Sequence, residues 1–225
     1  MLSEQREFET PPPRRAFPWL AVGVVIAAAG LLTLSVLSRR NAIELPPDED
    51  LSMGPDHPAV GQRLDGLQLQ PLTGQPPPLS SSDLQGRVTL LNFWGPWCRP
   101  CKVEFPHLAE LEEHFRSEAD FRFVSVSCSG GPGSDENMAD ETERFLRQQR
   151  ADFPTHRDAD SVTRAQIQRV AGQFAYPSTL VIGRDGSIRA FWLGYAPGVE
   201  RQMRQIVEKA LAELTVPVPV ESASE

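Results

Sequence analysis

The segment Trp97-Cys98-Arg99-Pro100-Cys101 constrains this chain more than any other. Leu91-Asn92-Phe93-Trp94-Gly95 before it reads as a strand running into a turn, and the residues after it read as a helix. Positions i and i+3 share a helix face, so the two sulfurs can meet. The free N–H groups and positive dipole end of a helix favour a thiolate on the first cysteine. Arg99 places a further positive charge between the two thiols. Cys98 is therefore expected to be the exposed nucleophile and Cys101 the buried resolving thiol.

Other uses of the same spacing have to be weighed. Haem attachment needs histidine directly after the second cysteine, and that position is Lys102. A structural zinc site needs two more ligands. Cys128, His57, His107, His114 and His156 form no second paired motif. The motif alone favours redox chemistry, with a zinc site and a plain structural disulfide left open.

Charge is unevenly placed along the 225 residues, whose net is −8. Residues 1–40 carry five arginines and three glutamates, and the remainder has a net charge of −10. An acidic main part argues against nucleic-acid binding. The glycine-rich stretch Ser129–Ser134 lacks the lysine of a phosphate loop and reads as a flexible loop.

Residues 16–38 carry no charge and include Trp19–Ile26 and Leu31–Leu34. About 20 apolar residues suffice to span a bilayer as a helix. The run exceeds the apolar core of a signal peptide and ends in Ser38-Arg39-Arg40, a poor cleavage site. The expected organisation is a tail over 1–15, a transmembrane anchor over 16–38 and a flexible linker over 39–58. A domain over 59–215 and a disordered tail over 216–225 follow. Flanking arginines favour a cytoplasmic N-terminus only weakly. A tethered disulfide catalyst is most useful where disulfides form, so residues 41–225 are expected on the periplasmic side of a bacterial cytoplasmic membrane, held by a single pass.

Within the domain, residues 59–86 read as a hairpin with turn signals at Thr73-Gly74 and Pro76–Pro78. Val88–Trp94 and Phe121–Val126 read as buried strands. Leu108, Leu111 and Phe115 recur at helical spacing after the cysteines. Asp140–Arg150, Ala165–Phe174 and Val199–Leu214 read as helices, the last with Met203, Ile206, Val207, Ala210, Leu211 and Leu214 towards the sheet. Thr179–Ile182 and Ile188–Leu193 form a hairpin through Arg184-Asp185-Gly186. The order implies an α/β protein with a mixed sheet and helices on both faces.

Asn92–Pro106, with Ala175-Tyr176-Pro177-Ser178-Thr179 and Arg184-Asp185-Gly186 further on, resembles the thioredoxin-fold proteins, and among them the membrane-anchored TlpA/ResA-like thiol-disulfide oxidoreductases. The resemblance covers roughly residues 59–215. It implies a thioredoxin-like fold with an N-terminal β-hairpin extension, preceded by the transmembrane helix. It also implies disulfide exchange at Cys98 and Cys101 with no cofactor beyond that redox-active pair and no metal. By the same resemblance Pro177 is cis and lies beside the disulfide, and Tyr176 just before it pairs with a substrate peptide. Trp97, Arg99 and Pro100 tune the pair, and Trp94 and Trp97 pack around it. Glu104 matches the glutamate that the ResA-like group uses near its thiols, and three residues after Cys101 it can share that face. A solvent-facing glutamate that suits the helix dipole is the alternative. Thioredoxin itself has an aspartate where this chain has Asn92, which cannot act as a base, so Glu104 becomes the better candidate for proton relay.

The implied partners are protein disulfide or dithiol substrates and a membrane thiol electron donor, with cytochrome c maturation as one setting. A redoxin-type thiol peroxidase and a non-catalytic anchored binding module are the competing functions. Cys128 reads as a small, partly buried residue at a strand end, with a third redox thiol or a site of regulatory modification as the alternatives.

Overall fold

The segment Val88–Trp94 has no exposed position. We label it β3. A strand covered on both faces needs a neighbour on each edge and a layer on each side. Its edges are taken by β4 (Phe121–Ser127), which runs parallel, and β6 (Ser178–Ile182), which runs antiparallel. Beyond β4 lie β5 (Thr155–Arg157), β1 (Gln68–Thr73) and β2 (Leu79–Ser80); beyond β6 lies β7 (Ile188–Leu193). Together the described strands form one mixed sheet of order β2-β1-β5-β4-β3-β6-β7. The computed structural model describes residues 53–131 and 135–213. The tail over 1–15, the anchor expected over 16–38, most of the linker and the tail over 216–225 lie outside the described residues, as does part of the loop at 129–134. Among the described residues no helix is long and apolar enough to cross a membrane.

Helices cover both faces. They are α1 (Arg99–Phe115), α2 (Met138–Gln149), α3 (Val162–Ala171) and α4 (Val199–Ala212). Successive side chains of a strand point to opposite faces, and β3 shows the consequence. Val88 and Leu90 pack with Leu108 and Leu111 of α1 and with Met203 and Val207 of α4. Leu91 and Phe93 pack on the other side with Ile167 of α3 and Leu69 of β1. At the end of β3 the first face continues as an aromatic cluster of Trp94, Phe105, Phe145 and Phe153, and Cys98 and Cys101 both belong to it. The expected mixed sheet, the β1–β2 hairpin and the helices on both faces are present.

Four details differ from the pattern reading. The strand β5 is too short to show a period, yet it joins the hairpin to the main sheet by pairing with both β4 and β1. A hydroxyl bond of 2.7 Å between Thr73 and Thr155 secures that junction. A short 3-10 turn, Ser81–Leu84, follows the hairpin. Helix α3 starts at Val162 rather than Ala165, because the Asp158 carboxylate caps the amides of Thr163 and Arg164. It stops at Gly172, whose φ of 79° is easy for glycine alone. Finally, the chain engages the sheet before the expected boundary at residue 59. Gly54 accepts the amide of Phe191 at 2.9 Å, and the buried His57 ring sits 4.6 Å from that of Phe191.

Candidate active site

Cys98 is the N-cap of α1 and Cys101 lies in its first turn, and the two are joined by a disulfide. The Cys101 amide also donates to Cys98 Sγ at 3.2 Å, so one orphan N–H of the helix start points at the first sulfur. Pro100 fits this turn because the second helical residue has no intrahelical partner for an amide. Arg99 is exposed, so water screens its charge from the sulfurs. Pro106 falls inside the helix, which continues to Phe115.

The expected contrast between an exposed and a buried cysteine needs correction. Cys98 is 4% exposed and Cys101 1%. The disulfide draws Cys98 into the cluster with Trp94 and Phe105, and Tyr176 packs against that cluster from outside. Cys98 remains the more accessible of the pair.

Trp97 lies over the loop edge and is 45% exposed. Its Nε1 donates to the Cys128 carbonyl at 2.9 Å, and its ring meets Tyr176 edge-on at 5.1 Å. Glycines permit this approach. A Cβ on Gly95 would lie 2.8 Å from the Cys128 carbonyl oxygen and overlap the indole, and one on Gly130 would lie 3.1 Å from the indole ring. Trp94, in contrast, is fully buried, with Nε1 donating to Ser125 Oγ at 2.8 Å. The Tyr176–Pro177 bond is cis, and Pro177 leads directly into β6.

One turn along α1 from Cys101 is a polar group that the core would exclude unless it were bonded. Glu104 is 1% exposed. Its Oε1 accepts from Thr179 Oγ1 at 2.9 Å and its Oε2 from Asn92 Nδ2 at 3.0 Å. Asn92 Nδ2 also reaches Thr179 Oγ1 at 2.9 Å. Asn92 and Thr179 are directly opposed on β3 and β6, so their side chains rise from the same face towards α1. Burial raises the carboxyl's pKa to about 7, although the two donors pull it down. Burial is the larger effect because the carboxylate loses its water and receives only neutral donors.

Cys128, one residue past β4, is a free and buried thiol. Desolvation pushes its pKa up to about 11, partly offset by the nearby Arg164 guanidinium and a hydrogen bond with Tyr176. A thiol held protonated in this way is a poor nucleophile. Among the described residues no three His, Cys, Asp or Glu side chains gather as a metal site would require. Sequence reasoning missed Arg164, Asp158 and Thr179, which lie close to this site. Only Thr179 was detectable, as the second residue after Pro177 in the distant motif.

Glu104 makes stability depend on pH with a defined sign. An unfolded glutamate loses its proton near 4.5, whereas Glu104 in the folded chain keeps it to about 7. The native state binds more protons in that window, so this contribution is complete below it and is lost as pH rises through it. The loss is about 3 kcal/mol. Urea unfolding of the oxidised protein, from about pH 4 to about pH 8, should show wild type losing that amount relative to Glu104→Gln. Parallel profiles for the two proteins would contradict the assignment.

Residues 60–191 match the model of the AhpC/TSA family. The thiol-disulfide oxidoreductase ResA of Bacillus subtilis (strain 168) is 32% identical over 107 residues, which are 48% of this chain and 53% of that protein. The chain thus spans about half the length of the curated relatives it matches. A Chlorobium tepidum structure provisionally named as the thiol:disulfide interchange protein DsbE superposes with a TM-score of 0.53 at 26% identity, covering 68% of this chain and 97% of that one. A secreted thiol-disulfide isomerase from Corynebacterium glutamicum shares the fold, with a TM-score of 0.54 at 19% identity over 67% of this chain and 86% of that one. The chain carries a thioredoxin-like fold and belongs to the AhpC/TSA family.

Proposed function

We propose that this chain is a membrane-anchored thiol-disulfide oxidoreductase that reduces protein disulfides outside the cytoplasm. The observation that carries the reading is the Cys98–Cys101 disulfide at the start of α1, one helical turn before the buried Glu104 carboxyl. The similarity to ResA supports it.

The cycle uses the pair alone, with no cofactor. The reduced Cys98 thiolate, facing the Cys101 amide, attacks one sulfur of a substrate disulfide. That bond breaks, the first substrate thiolate leaves and takes a proton from water, and a mixed disulfide remains. Cys101 then gives its proton to Glu104 and attacks Cys98 Sγ. The substrate's second thiolate leaves, and two electrons have passed from the protein dithiol to the substrate disulfide. Glu104, with a pKa of about 7, can take and return that proton at neutral pH. Tyr176, which packs against the cluster holding the disulfide, and cis Pro177 after it are the residues an extended substrate would meet. Trp97, Arg99 and Pro100 shape its approach. A membrane thiol donor would restore the dithiol, and cysteine repair in cytochrome c maturation is one setting that suits such a reductant.

The surroundings also favour the reducing direction. The helix start favours charge on Cys98, but Arg99 stands in solvent and the cluster around Cys101 is apolar. An apolar environment disfavours a thiolate on Cys101, and a pair with a poorly stabilised thiolate is a weaker oxidant. The potential of the pair, followed by tryptophan fluorescence, should lie well below about −200 mV. A value near about −120 mV would reverse the direction to disulfide formation. No two-electron transition at all would end the oxidoreductase reading.

Two further measurements check the remaining parts. Exchange by Glu104→Gln should be slower and should lose the inflection near pH 7 that wild type shows. Rates equal to wild type at every pH would remove Glu104 from the relay. The uncharged run at 16–38 supports an uncleaved anchor, and the disulfide chemistry supports placing residues 41–225 outside. A reporter that works only in the periplasm should be active when fused to the C-terminus, and an inactive fusion that is stably made would overturn that orientation.

A further inference from the structure

Next to Trp97 the sheet edge opens into a cavity of about 390 Å³, bounded by Trp97, Cys128, Asp158, Arg164 and Tyr176 among others. Its wall rests on Asp158, whose side chain is 1% exposed. The carboxylate accepts the Thr163 amide at 3.1 Å and the Arg164 amide at 3.0 Å, and so caps α3. The same oxygen that takes the Arg164 amide takes its Nε at 3.0 Å. The guanidinium is thereby fixed, and one of its terminal nitrogens donates to the Tyr176 hydroxyl at 2.7 Å. The Tyr176 ring lies edge-on to Trp97 and to Phe174, each at 5.1 Å.

Capping α3 needs only the aspartate. The arginine adds a long side chain whose outer end reaches Tyr176, the residue just before cis Pro177. Between Gly172 and Pro177 the chain has no regular structure of its own to fix that ring. A side chain held at both its ring edge and its hydroxyl has one orientation, and preorganised contacts favour partners that use them.

We propose that Arg164, seated on Asp158, is a positioning residue that selects polypeptide disulfides: it locks Tyr176 against Trp97 so that the cavity receives the side chain flanking the substrate's cysteine. This rests on the reading of Cys98–Cys101 as an oxidoreductase pair. Cys98 does not line the cavity, so a small disulfide meets it outside, whereas the chain flanking a polypeptide's cysteine extends across the Trp97–Tyr176 contact to the cavity. The chemistry is the exchange already described, with the substrate disulfide reduced and the protein dithiol oxidised.

The test compares two oxidants of the reduced full-length protein. One is a peptide whose central cysteine is disulfide-bonded to glutathione, and the other is glutathione disulfide. For Arg164→Gln the ratio of the two second-order rates should fall roughly tenfold, the loss expected when a hydrogen bond to a charged group is removed. Arg164→Gln leaves the Asp158 carboxylate buried without its cation and can cost stability. Tyr176→Phe keeps both the ion pair and the ring and should give a similar fall. The double variant should be no worse than either single one, because both remove the same contact. An unchanged ratio in Tyr176→Phe, or equal losses on both oxidants, would overturn the proposal. If wild type were oxidised by neither disulfide, the oxidoreductase reading itself would fail, which is a different result from an unchanged ratio.

Discussion

A carboxyl group without water around it fixes the geometry of this molecule. Glu104 belongs to α1, Asn92 to the central strand and Thr179 to the strand that follows cis Pro177, and the three side chains close on one another. Burying a carboxyl without partners costs several kcal/mol, so the folded chain is penalised unless all three elements meet in one register. Each hydrogen bond contributes only about 1 kcal/mol net, whereas leaving a buried partner unsatisfied costs about 1–3 kcal/mol. The triad therefore acts less as glue than as a selector of one arrangement. It sets the active-site helix at a fixed height over the sheet and brings the motif at residue 98 to the motif at residue 177.

The sheet topology explains why the chemistry collects at one edge. Strand β3 lies between parallel β4 and antiparallel β6. Its carboxyl end delivers the cysteines, the end of β4 delivers Cys128, and the start of β6 delivers Pro177. Irregular chain at such an edge carries free backbone groups and space for ligands. The amide of Cys128 donates to the Trp94 carbonyl at 2.8 Å, so the β3–β4 ladder runs one step past the strands and stiffens the floor below Trp97.

Much of this was legible in the sequence because the signals were local. Val88–Trp94 declares itself by an apolar run, and the cysteines by their spacing at a strand–helix junction. Glu104 could be placed on the face of Cys101 by helical spacing, but its burial could not, since that depends on Asn92 and Thr179 from distant strands. The same limit hid the Asp158–Arg164 pair, because a carboxylate three residues ahead of the N-cap and an arginine in the first turn look like ordinary surface charges. Strand β5 escaped because three residues show no period and its pairing is wholly non-local. The burial of Cys98 escaped because the contacts that cover it come from other parts of the fold.

The two polar networks of the site lie on different sides of the sheet, and this separation has a chemical meaning. Glu104, Asn92 and Thr179 sit on the face covered by α1. Cys128 packs in the cluster on the opposite face, and Arg164 reaches it from α3. The disulfide and Tyr176 stand where the two meet. The carboxyl and its two donors thus have no hydrogen bond in common with the groups that border the cavity. Changes more than about 7–10 Å apart and without shared partners are close to additive. To that extent, such a site can alter what it accepts through Arg164, Tyr176 and the cavity wall while the Glu104 carboxyl keeps the same protonation behaviour. A fold that placed both tasks on one network could not separate them, since any new charge for recognition would shift the buried carboxyl directly.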